Sequence, residues 1–593
     1  MSLLAPAPVD PRTLPATNGA RHRFGVPAFF RVAPLTAFWL LIIGILVLPI
    51  LTFLLVAFSP RLLSQGPEWL TLNAFRDAFA GTLLQGLRNT LIVGVSAAVF
   101  AAATGFGVAW AVLRTNIPGR RVWSASMYAL LLTPSYLIAL GWERLLEPSG
   151  VLDTLGVAPG VSRTVLYGPV GVIGILTVKG IPFAYLAIST ALRGLGSDFE
   201  SAARVHGGGR VAVVRMVMAL LAPAMWSAVA IVFAESISDF GVAATLANDA
   251  HFPVATFTLY NAIGTFPGRF PVAAAVGWML MAMAGLALLA QSKALRGRSF
   301  RVLGGRSRPA RRAQLSAPVR WGAATTLAAL VAVSLGVPAF GSVSASLING
   351  LGSLVGDHAW TLDSYRRVLS SAALRGPLVY SAEMATVTAT ITLALALFSA
   401  RLLAAKVGTL SSRVLDLMLL TAVALPGIVF AAGYIFTYNL PLTNSLGIHL
   451  YETTPLLVLG YLATALPSTS RVLLGSVSQV QESLQHAARV HGLGRVASWT
   501  KAVLPVLARP MLAAWVLTFA GTLLELPVSQ LLYPPDHPPV AIGIEKALAN
   551  YDYSGGTAME VVAVLLAMTV LVLAWALFAL LAPAGWRRLG RTS

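Results

Sequence analysis

Apolar runs of twenty residues or more recur along the whole chain, separated by short polar segments that carry most of its arginines. A helix rising ~1.5 Å per residue needs about 20 apolar residues to cross the hydrocarbon of a bilayer. Six runs in the first half meet that length, near 35–58, 87–113, 122–146, 168–192, 220–245 and 270–290. Six more follow, near 321–348, 381–404, 415–438, 455–477, 504–524 and 559–581. The pattern predicts an all-α integral membrane protein of about twelve transmembrane helices, six in each half. No small-residue cleavage signal follows the first run, so it reads as a membrane helix and not as a cleaved signal peptide. Several runs contain Gly or Pro, which membrane helices tolerate when neighbours satisfy the freed backbone groups.

One polar segment occurs twice. Residues 202–212 read AARVHGGGRVA and residues 487–497 read AARVHGLGRVA, differing only at Gly208 and Leu493. A match of that length marks two related halves joined end to end. Each copy falls between the fourth and fifth runs of its half. Six is an even number, so both halves enter the membrane from the same side. They are parallel repeats, related by a pseudo-twofold axis along the membrane normal, and a pathway would run between them.

Composition agrees: 57% of the 593 residues are hydrophobic and only 11% are charged, with a mean hydropathy of +0.77. So little charge cannot cover a soluble protein of this size. The net charge of +20 would point to nucleic acid in a soluble chain. Here the arginines sit in short loops, where they set orientation, since cytoplasmic loops collect Lys and Arg. Arg114, Arg120 and Arg121 fall in the second loop, Arg193, Arg204, Arg210 and Arg215 in the fourth, and Arg587, Arg588 and Arg591 in the tail. Loops assigned to the other side hold Glu68, Glu143, Glu147, Asp153, Asp239, Asp249, Glu452, Asp536 and Asp552, with Arg366, Arg367 and Arg375 against the trend in one long loop. Both termini and both repeated segments are therefore expected in the cytoplasm. There is no cysteine, which excludes disulfides and thiolate chemistry.

The expected organisation is a disordered cytoplasmic tail (1–34), a first six-helix repeat (35–290), a basic cytoplasmic linker (291–320), a second repeat (321–583) and a short cytoplasmic tail (584–593). The linker reads as a flexible tether, with nucleic-acid binding the poorer reading.

Within each repeated segment, Ala-Ala-Arg with Glu200 or Glu482 upstream suits a short helix, and Gly207 or Gly492 then supplies a turn. A helix lying among headgroups needs only amphipathicity. Near-identity in both halves fits docking to a partner with two equivalent sites.

On these residues the chain resembles the permease subunits of binding-protein-dependent, ATP-driven (ABC) importers. Their EAA loop reads roughly Glu-Ala-Ala, three residues, Gly, then Leu-Pro. Ala202, Ala203 and Gly207 match in the first copy, and Ala487, Ala488, Gly492, Leu504 and Pro505 in the second; Ser201 and His486 stand where the family has Glu. The resemblance covers both halves and implies a fused double permease of the type I fold. It also implies that the two loops are coupling helices docking on an ATPase, with Glu200, Ala202, Ala203, Arg204, Gly207 and Arg210 on one and Glu482, Ala487, Ala488, Arg489, Gly492 and Arg495 on the other. SDFGVAATL (238–246), LELPVSQLL (524–532), EPSGVLDTLG (147–156) and IPGRR (117–121) resemble the ferric-iron subgroup. Related fused permeases carry thiamine or phosphonates.

The chain has no G-x-x-x-x-G-K-[ST] phosphate loop. The resemblance thus implies a non-enzymatic transport subunit without cofactors of its own, with ATP and Mg on a cytoplasmic ATPase homodimer and an extracytoplasmic substrate-binding protein above. The location it implies is the inner membrane of a prokaryote. No catalytic or resident metal site is expected. For the pathway, Asp239 and Glu525 occupy equivalent places after the fifth spans, where they either flank a cation route or mark the membrane exit. Lys179, opposite Thr464, either lines the pathway or is paired to a helix. Pro134 with Pro426, Pro182 with Pro467 and Gly141 with Gly433 align as shared kinks and packing points. Scarce ionisable residues within the spans disfavour an ion-coupled secondary transporter, and dispersed histidines disfavour a membrane enzyme.

Overall fold

The computed structural model describes residues 28–195, 205–207, 209–295, 312–352, 358–405 and 407–581. It divides into two units, Met1–Gly44 and Ile45–Ser593. The described part of the first is helical from Ala28, so helix begins inside the segment read as a tail. The C-terminal tail and residues 296–311 of the linker lie outside the described residues.

The protein is an all-α, multi-pass membrane protein. Among the described residues ten helices are long and apolar enough to span a bilayer, or twelve when each of two bent pairs is taken as one span. In chain order the first half contains α1 (Leu35–Val56), α2 (Gly81–Arg114), α3 (Arg120–Leu132), α4 (Ser135–Leu146), α5 (Pro169–Gly194), α6 (Arg210–Ser238), α7 (Ala255–Gly264) and α8 (Phe270–Leu295). The second repeats the series. It comprises α9 (Ala317–Leu347), α10 (Ala372–Ala405), α11 (Leu410–Ala424), α12 (Gly427–Tyr438) and α13 (Thr454–Val477). It ends with α14 (Glu482–Val490), α15 (Val496–Leu523), α16 (Val540–Ala549) and α17 (Tyr553–Leu581).

Three of the expected spans are built differently from their sequence reading. The third span of each half is broken, by 96° between α3 and α4 and by 106° between α11 and α12. The break falls before Pro134 and Pro426, where proline bars its predecessor from the helical region: Thr133 and Leu425 are both extended. What alignment reads as a kink is a corner. The fifth run also stops early. α6 ends at Ser238, and the residues read as its continuation form a separate short helix over 241–249.

Within each half, α2, α5 and α6, or α10, α13 and α15, pack as a trio. The halves are joined by exchanging their first spans. α9 packs along α4, and the Leu48–Val56 part of α1 packs along α12. Both crossings use a glycine: a Cβ on Gly141 would run into the Pro338 carbonyl, and one on Gly433 would lie 2.6 Å from that of Pro49. Such backbone approach is how membrane helices gain dispersion contact where lipid supplies no hydrophobic drive.

Polar groups reinforce both crossings. At the second, the Thr52 and Thr437 hydroxyls are hydrogen-bonded, and Tyr434 donates to the Ile45 carbonyl at 2.8 Å. At the first, Glu143 and Arg144 are helical residues of α4 with 2% and 6% exposure. Glu143 therefore does not belong to an outer loop, as its charge led us to expect. Arg144 pairs with Glu147 at 3.0 Å and lies over the Tyr553 ring of α17 at 4.9 Å. Nearby, Ser342 of α9 donates to Glu560 of α17 at 2.9 Å. Arg144 and Glu560 are thus partnered, as buried charges in a membrane generally are, whereas Glu143 Oε1 is buried without a hydrogen bond.

The end of the linker is anchored and is more than a tether. Ala313 N–H donates to the Arg114 carbonyl at 2.8 Å, and Leu315 N–H to Asn116 Oδ1 at 3.0 Å.

Candidate functional site

The repeated segment appears most completely in its second copy. α14 closes with a Schellman arrangement: Leu493 N–H donates to the Ala488 carbonyl at 3.1 Å and Gly492 N–H to that of Arg489 at 3.0 Å. This requires a left-handed residue past the helix end, and Gly492 has φ +85° while Gly207 of the first copy has φ +76°. Both glycines therefore take the left-handed conformation. Ala487, Ala488 and Arg489 lie on α14. Glu482 begins that helix and Arg495 follows its turn, while Arg210 opens α6. Glu200, Ala202, Ala203 and Arg204 lie outside the described residues.

Four valines in these segments were overlooked in the sequence. Val205 and Val490 are 83% and 85% exposed, and Val211 and Val496 are 81% and 78% exposed. Each pair occupies the same place in its copy. A β-branched apolar residue facing outwards, duplicated to within a few per cent, makes two matching apolar knobs in a basic surrounding. The signal was present in the repeat itself, where two valines interrupt an otherwise polar string.

The pathway residues resolve into different roles. Asp239 follows the end of α6, and its Oδ1 accepts from Val242 N–H at 2.8 Å. Glu525 follows α15 and accepts from Val528 N–H at 2.8 Å and Ser529 N–H at 3.0 Å. Both carboxylates cap the short helix that comes next, 241–249 in one half and Pro527–Leu532 in the other. An anion there satisfies orphan donors and the helix dipole. Small residues seat these helices against the broken spans, but on opposite partners. Gly241 of the short helix meets Ser135 and Tyr136 of α4, whereas Gly427 of α12 meets Pro527 of the short helix.

Lys179, on α5, is paired to a helix. Its Nζ donates to the carbonyls of Leu131 at 3.0 Å and Thr133 at 2.7 Å, closing the C-terminal end of α3 just before its break. Lys179 also lies 5.9 Å from the Phe183 ring and within reach of the charges of Glu235 and Asp239. Glu235, a turn before Asp239 on α6, is exposed.

In the second half, Thr464 and Gly521 stand where the first has Lys179 and Glu235. There α13 and α15 border a cavity of about 310 Å³, lined by Thr464, Ser468, Thr469, Thr518, Thr522 and Glu525 among others. Thr469 and Thr518 share a hydrogen bond of 2.8 Å across it. Further along, Gln530 Nε2 joins the halves by donating to Tyr260 Oη of α7 at 3.3 Å and to Glu545 Oε1 of α16 at 3.2 Å. Among the described residues no group of three or more acids or histidines is arranged to hold a metal ion.

Paired broken spans, exchanged first helices and duplicated surface knobs make a two-fold membrane assembly, and the similarities of the sequence say of which kind. The chain is 24% identical over 446 residues to a probable ABC transporter permease protein (y4fN) of Sinorhizobium fredii, covering 74% of this chain and 77% of that one. Its relatives are ABC transporter permeases. The ferric transport system permease protein FbpB of Actinobacillus pleuropneumoniae is 23% identical over 451 residues, which span 74% of this chain and 63% of that one. The sulfate transport system permease protein CysT of Salmonella typhimurium is 26% identical over 210 residues, 35% of this chain and 75% of the relative. No family model matches the chain. A relative that aligns over about a third of this chain, beside others that align over three quarters, fits the fused double permease read from the repeat.

Proposed function

We propose that this chain is the membrane-spanning permease of an ATP-driven, binding-protein-dependent importer, carrying ferric iron between its two halves. The observation that carries the reading is the pair of duplicated surfaces, with Val205, Val211 and Gly207 on one and Val490, Val496 and Gly492 on the other. Two identical knobs call for a partner with two identical sockets, as an ATPase homodimer has. ATP and Mg would belong to that partner. The repeat-bearing side is the cytoplasm of a prokaryotic cell, because Arg114, Arg120, Arg121 and Arg193 end or begin helices there. A substrate-binding protein would dock on the opposite side.

The ferric relative and the Glu525 cavity support iron as cargo. Sulfate is the second reading, favoured by the sulfate relative, although the hydroxyls of the cavity wall already donate to their own helices. The carboxylate of Glu525 on the same wall opposes a dianion, so the cation stands first.

The test is ATP-dependent uptake by the permease reconstituted with its ATPase and binding protein, comparing radiolabelled ferric iron, sulfate, thiamine and a phosphonate. Iron uptake lost on omitting the binding protein supports the full reading. Uptake of another solute alone removes iron and keeps the importer. Transport that continues without the ATPase would favour an ion-coupled secondary transporter and overturn the importer.

A further inference from the structure

Resting on that reading, we infer that the pathway has one cargo site, not two: the hydroxyl-lined cavity of the second half, which takes a cation inside its own oxygen shell, hydrated or chelated.

Pseudo-symmetry provides an internal comparison. The wall built by α13 and α15 has small or hydroxylated residues at Thr464, Ser468 and Gly521, and between them lies a cavity of about 310 Å³. The matching wall of the first half carries Lys179, Phe183 and Glu235 at those positions. Lys179 is held by two carbonyls and lies beside the Phe183 ring, so the equivalent space is taken up by side chains of the protein. Glu235 and Asp239 offset the ammonium charge there, so filling by side chains, not charge, is what sets this wall apart. The two halves share a backbone plan but present unlike surfaces to the route between them.

The chemistry of the open wall selects the form of the cargo. Both Glu525 oxygens already accept backbone N–H groups, so direct ligation of a bare ion would compete with the cap of the next helix. The carboxylate nonetheless contributes a negative charge to the cavity. Thr464, Ser468, Thr469 and Thr518 each donate to a carbonyl of their own helix, which leaves their oxygen lone pairs as acceptors for the outer surface of a hydration or chelate shell. Size agrees with this. Six waters at ~30 Å³ each occupy ~180 Å³, which fits within the cavity and leaves room for a small chelator.

The experiment alters each wall in turn in the reconstituted importer. Ser468→Phe places in the second half the ring that the first half already has, and Thr518→Val removes a hydroxyl at nearly constant volume. Phe183→Leu is the matched change in the first half. Uptake of ferric citrate is measured, with ATPase stimulation by loaded binding protein as the check on assembly. Expected are a loss of tenfold or more for Ser468→Phe, a loss of about threefold for Thr518→Val, and a change under twofold for Phe183→Leu. Equal losses in both halves, or none in the second, would overturn the single-site inference. If the wild type carries a solute other than iron, the iron reading fails by itself. The same three variants measured with that solute still decide between one site and two.

Discussion

Gly433 meets Pro49 so closely that a methyl group on the glycine would lie 2.6 Å from the proline carbonyl. Gly141 stands in the same relation to Pro338. The two contacts are pseudo-symmetric, and each joins the broken span of one half to the first span of the other. Gly433→Val is expected to push these helices apart and to destabilise the protein by about 1–3 kcal/mol, the usual range for overpacking. Thermal unfolding in detergent would register it. An unchanged midpoint for both Gly433→Val and Gly141→Val would refute the close crossing.

The exposed valines lead to a second prediction. Val205→Glu with Val490→Glu should leave the permease folded, since both side chains are already in solvent, yet abolish co-purification of the ATPase and ATP-dependent uptake. Charge reversal at Arg204 and Arg489 should act in the same direction. Wild-type assembly in both double variants would remove the docking role from these segments.

Asp239 and Glu525 should respond differently, although their sequence positions are equivalent. Asn caps a helix about as well as Asp, so Asp239→Asn is expected to retain uptake within about twofold. Glu525→Gln keeps a capping oxygen but removes the charge from the cavity, and uptake of a cation should fall by roughly tenfold, ~1.4 kcal/mol. Comparable effects of the two substitutions on uptake kinetics would contradict the assignment of Glu525 alone to the open wall.

Lys179→Met leaves the Leu131 and Thr133 carbonyls without their donor. Buried acceptors left in this way cost about 1–3 kcal/mol. Unfolding measurements should show that loss, with partial recovery in Lys179→Arg. If stability is unaltered, Lys179 has no structural role at the break.

Much of this architecture was legible in the chain because the bilayer imposes one strong rule, that backbone crossing it be helical and apolar. Every expected span has its counterpart, and the repeat disclosed the pairing of the halves. Legibility failed where tertiary contact reverses a local rule. Glu143 reads as a loop acid because nothing in its sequence neighbourhood shows that the segment packs against the first span of the other half, with Tyr553 over Arg144. Pro134 and Pro426 mark a change of direction in the sequence, but not one near a right angle. Asp239 and Glu525 were visible as a pair, whereas their capping bonds depend on helices that begin only because the preceding spans stop short. The cavity was hidden because it comes from what the second half lacks: a lysine, a phenylalanine and a glutamate that only alignment of the halves makes conspicuous.

The exchange of first spans has a mechanical consequence. Each half is gripped by a helix that belongs to the other, so neither can swing freely without carrying its neighbour's arm along. Motion between them must turn about the places where the arms are clasped, and those are the two glycine–proline crossings. The crossings are the pivots of the machine, and the distance from Gly141 to Gly433 should stay nearly constant while the walls between them part and close. It also follows that the covalent linker is dispensable for cohesion: a chain severed within residues 296–311 should still assemble as an interlocked pair.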